Sequence, residues 1–226
     1  MIIIHGENVT HSRNKLLEII EKAKENEVII ERLYAKEIDV AILEEKLQKS
    51  DLFGHSRMLV VEELHSLPKS SKLTKMIELL ISSEMEICLW EKRQLTATML
   101  KKFSNATIHE FKLANSLFKW LDSLSPIASS KTTQLKLFQQ AIIENDEYLC
   151  FVMLIRQVRM MIQALDGGEI KGPGFVINKI RSQANQFNLQ SLIKLHQHLF
   201  ELDKKIKSSQ NHLSLNQELE QLIIHL

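Results

Sequence analysis

The chain has 226 residues, 44% of them apolar and 25% charged, the composition of an ordinary folded protein and not of a disordered or fibrous one. Lys and Arg number 29 against 28 Asp and Glu, so no global field steers the molecule to nucleic acid or a membrane surface, and any DNA contact must be local. The two cysteines, Cys88 and Cys150, stand far apart and outside any CxxC or Cys/His grouping, which excludes a disulfide framework and a zinc site.

In chain order, the first half alternates short β-rich apolar runs with helical patterns, and this predicts an α/β layer on a mainly parallel sheet. Strands are expected at 1–4, 28–30, 58–61, 87–90 and 106–111. The first of these is a short apolar run without a basic leader. No stretch approaches the roughly 18 apolar residues of a membrane helix, so a cytoplasmic protein without a membrane partner is expected. Between the first two strands, Thr10 is the expected cap of a helix burying Leu16, Leu17, Ile20 and Ala23. Asp39 is the expected cap of the next, which carries Leu43 and Leu47. After the third strand, Ser71 is the expected cap of a helix burying Leu73, Met76, Ile77, Leu80 and Ile81.

Beyond Leu121 the character changes. Ser123, Ser125, Pro126, Ser129 and Ser130 form a turn-prone stretch, and nothing after it reads as a strand. The expected organisation is an α/β domain over 1–122, a linker over 123–130 and an all-helical domain over 131–226. Within the latter, Phe151, Leu154, Ile155, Val158, Ile162 and Leu165 repeat at steps of three and four, the stripe of a bundle helix, which Gly167-Gly168 ends. Pro173 lies near the start of the next helix. Asn188 is the expected cap of a long amphipathic helix through Leu192, Leu195, Leu199 and Leu202, and a last helix carries Leu215, Leu219, Leu222 and Leu226.

An α/β start invites a search for a nucleotide site. A P-loop needs a glycine-rich turn ending in GK[ST], so that backbone N–H groups and a lysine hold phosphates. The turn after the first strand is His5-Gly6-Glu7-Asn8, with one glycine and a carboxylate that repels phosphate. Leu59-Val60-Val61-Glu62-Glu63 resembles the apolar strand whose acidic end positions magnesium and water in P-loop ATPases, but without phosphate-binding residues it reads as a buried strand with a solvated acidic end. An NTPase with an unusual phosphate site at Glu62 or Glu63 is the enzymatic rival. His196 and His198 sit at i,i+2 on one helix and point to different faces, and no GxSxG elbow occurs. Neither a metal, a cofactor nor a catalytic residue is expected.

The segment Gln48-Lys49-Ser50-Asp51-Leu52-Phe53-Gly54 closes a helical pattern before a turn glycine. Periodicity alone leaves its Leu-Phe pair either in the core or exposed as an anchor. The segment is similar to the clamp-binding motif of the delta subunit of the bacterial replicative clamp loader, part of DNA polymerase III: a glutamine, a short spacer, an acidic or serine residue, then Leu-Phe. As in that family, a basic residue and an apolar strand follow, here Arg57-Met58-Leu59-Val60-Val61-Glu62. The family also resembles ATPases of the AAA+ type while lacking a working P-loop.

Lys92-Arg93, Lys101-Lys102-Phe103, Phe111 and Phe118-Lys119-Trp120-Leu121 resemble the close of the family's first domain. Downstream, Leu154-Ile155-Arg156-Gln157-Val158-Arg159, Pro173 with Phe175, Val176 and Lys179, Arg181-Ser182-Gln183-Ala184, and Leu202-Asp203 with Ile206-Lys207 resemble patterns of its helical collar domain, in the expected order. The chain departs from the family by lacking most of a small middle helical domain.

The resemblance implies a degenerate AAA+-like α/β domain followed by a helical collar-like domain, in a non-catalytic subunit that binds and opens the sliding clamp. The clamp contacts it implies are Gln48, Asp51, Leu52 and Phe53. The partners are the clamp, the ATPase subunits of the loader, and primed DNA within the complex. Arg156, Arg159, Lys179 and Arg181 are candidates for DNA or partner contacts, against the bland reading of solvated helix-face charges. The other alternative is a protein-binding adaptor derived from an ATPase fold, with no role at the clamp.

Overall fold

A computed structural model describes residues 1–48, 56–210 and 213–226 of the chain. It divides into two compact units, Met1–Leu113 and Ala114–Leu226. The first is an α/β layer and the second is entirely helical, the fold class that the sequence predicts.

In the first unit the elements run β1 (Ile2–His5), α1 (Val9–Glu25), β2 (Ile29–Tyr34), α2 (Val40–Gln48), β3 (Arg57–Glu62), α3 (Ser71–Ser82), β4 (Glu86–Glu91), α4 (Ala97–Leu100) and β5 (Thr107–Glu110). The strands form one five-stranded sheet in the order β2-β3-β4-β1-β5, parallel throughout. Parallel pairing leaves the central strands covered on both faces, which is why β3 and β4 are continuous apolar runs. The period of two sorts their side chains. Ile3, Leu59, Val61, Ile87 and Leu89 face α2, α3 and α4, where they meet Leu43, Met76 and Leu80. Ile4, Met58, Val60, Cys88 and Trp90 face the opposite way, onto Leu16, Ile20 and Ala23 of α1.

Local capping differs slightly from expectation. The cap of α1 is Asn8, whose side chain accepts from His11 N at 3.1 Å, and not Thr10. Ser70 caps α3 through Leu73 N at 3.3 Å, one residue before Ser71. Asp39 takes Ile42 N at 2.9 Å as expected. The buried stripe of α1 is Ser12, Leu16, Ile20 and Ala23, a strict step of four or three, so Leu17 turns away and is 49% exposed. Ile81 leaves the face of α3 for the same reason. Cys88 and Cys150 are buried, and burial pushes each thiol up to about 12.

The second unit comprises α5 (Asn115–Ser123), α6 (Lys131–Asn145), α7 (Glu147–Leu165), α8 (Gly174–Ala184), α9 (Leu189–Lys207) and α10 (Leu215–His225). The expected boundary at 123–130 thus moves earlier, to Leu113 and Ala114. The reason is α5, whose Leu117, Trp120 and Leu121 are buried, with the Trp120 ring 4.8 Å from that of Phe138 on α6. Both ends of α5 are tied into this unit. Ala114 N donates to Asn145 Oδ1 at 2.8 Å, and Gln183 Nε2 of α8 donates to the carbonyls of Leu121 and Leu124 at 2.7 and 3.1 Å.

Asn188 caps α9 as expected, through Gln190 N at 2.8 Å. Helix α7 closes where Gly168 N reaches back to Gln163 O at 2.8 Å, with Gly167 at φ +76°. Among the described residues, α7 is also one helix long and apolar enough to cross a membrane, by length and composition alone, which the sequence reading did not anticipate. Its apolarity serves the bundle: Cys150, Phe151, Leu154, Val158 and Met161 are buried there.

Candidate functional site

In an open parallel sheet, ligands bind outside the carboxyl ends of the strands, where successive connections leave for opposite faces. Here that point lies between neighbours β1 and β4, because β1 continues to α1 on one face and β4 to α4 on the other. The crevice is closed by the protein's own groups. His5, fully buried at the end of β1, accepts from Leu95 N at 3.2 Å through Nδ1. That role fixes the neutral ring, and burial holds its pKa below the ordinary 6.5. Glu91, at the end of β4, takes the backbone N and the Nδ1 of buried His65 at 2.7 and 2.8 Å, and Arg93 donates to the His65 carbonyl.

The turn that would cradle a phosphate is committed as well. Gly6 N donates to Arg93 O at 3.2 Å and Asn8 N to Phe111 O at 3.0 Å. Gly6 sits at φ +137°, and a Cβ there would stand 2.0 Å from Phe111 O. Strands β3, β4 and β5 end in Glu62, Glu91 and Glu110, each already engaged by a partner within the chain: Arg13 and Arg32, His65, and Lys112.

Glu62 is the last residue of β3, the acidic strand end singled out in the sequence. Its carboxylate is fully buried, with Arg13 Nη1 at 2.5 Å from Oε2 and Arg32 at 2.5 and 3.1 Å from Oε1 through Nη2 and Nε. The hydrogen bond to Glu62 raises the already high pKa of Arg32. The Arg13 guanidinium also lies 3.4 Å over the Trp90 ring, a cation–π contact. Both carboxylate oxygens are therefore spent on structure. Sequence reasoning missed the two arginines, because partners 49 and 30 residues away leave no local spacing to read. Among the described residues no group of three or more His, Cys, Asp or Glu could hold a metal.

Of the expected clamp contacts, Gln48 is the exposed last residue of α2. It borders a surface depression of about 320 Å³ together with Leu47, Leu79 and Met85. Asp51, Leu52 and Phe53 lie outside the described residues.

Arg156 and Arg159 are exposed on α7, and Lys179 and Arg181 on α8. Arg156 and Lys179 line one groove with Phe118 and Asp122 of α5, and Lys179 is paired with Asp122; Arg159 and Arg181 do not line it. Gln157 and Gln183, next to the candidate cations, are structural. They are buried, bonded to one another at 2.6 Å, and Gln183 also satisfies the carbonyls at the end of α5.

No known family matches the sequence, and no curated protein matches it. Among solved structures, the chain is similar to the Bacillus subtilis DNA clamp loader delta protein, at 12% identity over 99% of this chain and 94% of that one, with a TM-score of 0.49.

Proposed function

We propose that the chain is a non-catalytic clamp-loader subunit, of the delta type, that binds and opens a sliding clamp. The observation that carries this is the segment Gln48-Lys49-Ser50-Asp51-Leu52-Phe53, which resembles the family's clamp-binding motif and joins α2 to β3 in an α/β unit without a P-loop. The all-helical second unit is what a collar domain requires. The crevice filled by His5, Glu91 and His65, and the double pairing of Glu62, support a subunit that does no nucleotide chemistry of its own.

The driving energy is binding. Leu52 and Phe53 entering an apolar clamp pocket favour the clamp conformation that accepts them, by the difference in affinity between its closed and strained-open states. ATPase partner subunits hydrolyse ATP. The helical unit joins a collar above primed DNA, with Arg156, Arg159, Lys179 and Arg181 available to phosphates or partner carboxylates.

A pull-down of the purified chain with the sliding clamp of the same organism tests the proposal. Stoichiometric retention of the clamp is the expected result. A chain that retains no clamp at micromolar concentration is instead an ATPase-fold-derived adaptor for other proteins.

A further inference from the structure

Independently of the clamp, we propose that the groove between α5, α7 and α8 is a docking site for a partner protein's peptide segment that combines carboxylates with apolar anchors. The groove has a volume of about 410 Å³. Its walls carry Phe118, Met153, Met160 and Phe175, and two of these are large aromatics left in water, Phe118 at 40% and Phe175 at 76% exposure. An exposed apolar patch rimmed by charge is the mark of an interaction surface.

The rim defines the occupant. Arg156, Lys171 and Lys179 stand against a single carboxylate, Asp122. That carboxylate is already taken by Lys179, so Arg156 and Lys171 face the groove without an acidic partner among the described residues. A segment with Asp or Glu beside Leu, Ile or Phe satisfies both features at once: its carboxylates meet the free cations, and its apolar side chains cover the methionines and aromatics. A nucleic-acid backbone would use the cations and leave the thioethers and Phe118 wet. The adaptable Met153 and Met160 suit an apolar side chain of variable shape.

A random-peptide display library selected on the immobilised full chain, followed by synthesis of the enriched peptides, tests this. Enriched sequences are expected to be acidic with at least one aliphatic or aromatic anchor. Their affinity should fall about tenfold or more in Arg156→Glu and Lys171→Glu, and similarly in Phe175→Ala, at unchanged melting temperature because all three side chains are exposed. No enrichment, enrichment of neutral or basic sequences, or binding that survives both charge reversals overturns the proposal. A labelled single-stranded oligodeoxynucleotide that binds the chain and is lost in the same reversals overturns it too, in favour of a nucleic-acid site. None of these outcomes depends on whether the clamp binds.

Discussion

Glu62→Gln separates a structural carboxylate from a catalytic one. In the wild type the fully buried carboxylate accepts from two guanidinium groups, Arg13 and Arg32, themselves 33% and 41% exposed. Charge-assisted bonds contribute roughly 1.5 to 3 kcal/mol each when both partners are desolvated, and much less where one partner can return to water. Glutamine keeps one acceptor oxygen for one arginine and turns its NH₂ toward the other, donor against donor, inside the protein. Losing one partly exposed bond and burying one unsatisfied amide costs about 2 kcal/mol, which for a unit of this size lowers the melting temperature by about 10 °C.

Circular dichroism melts of both proteins, with and without magnesium and ATP, provide the assay. A structural role for Glu62 entails a large fall for the variant and no nucleotide effect on either protein. A variant that melts with the wild type, while the wild type alone is stabilised by magnesium-ATP, would refute it and give Glu62 a nucleotide role.

Three further outcomes follow from the geometry. Gly6→Ala places a Cβ 2.0 Å from Phe111 O at φ +137° and should cost about 3 kcal/mol or prevent folding; a variant that melts within a few degrees of wild type would contradict the close approach. His5 is held below 6.5 chiefly by burial, with Glu110 opposing, so the unfolded chain takes up the proton first as pH falls. Its stability contribution is present above 6.5 and declines from there toward the folded pKa. The urea midpoint of the wild type should therefore drop more between neutral pH and about pH 5.5 than that of His5→Gln, and equal drops would exclude His5 as the cause. Finally, the fragment 114–226 should melt cooperatively, whereas 124–226 lacks buried Leu117, Trp120 and Leu121 and should be several kcal/mol less stable; equal melting temperatures would return α5 to the first unit.

The central strands β1, β3 and β4 are legible because parallel strands buried on both faces read as unbroken apolar runs, as in Met58-Leu59-Val60-Val61. The sheet's edge is not: β2 carries Glu31 and Arg32, one side chain reaching Arg57 and the other Glu62, and only its start reads as strand. The serine-rich stretch misled the domain boundary. Its polarity looks like a linker, but Ser123 Oγ donates to Trp120 O at 2.7 Å and Ser130 Oγ to Ile127 O at 2.6 Å, while the Ser125 carbonyl takes Gln134 at 3.0 Å. These serines terminate and start helices inside one unit. Of the candidate cations, Arg156 and Lys179 share a groove, but its other walls come from α5 and the segment before α8, separations that no local pattern encodes.

The most direct test of the central claim is the affinity of the Leu52→Ala, Phe53→Ala double variant for the sliding clamp, with its melting temperature measured alongside. If the pair anchors the clamp complex, affinity falls by about thirtyfold or more, equivalent to about 2 kcal/mol or more, while the melting temperature barely moves. Emptying a core position instead costs roughly 2 to 5 kcal/mol of stability. A large fall in melting temperature with clamp affinity intact would contradict the assignment.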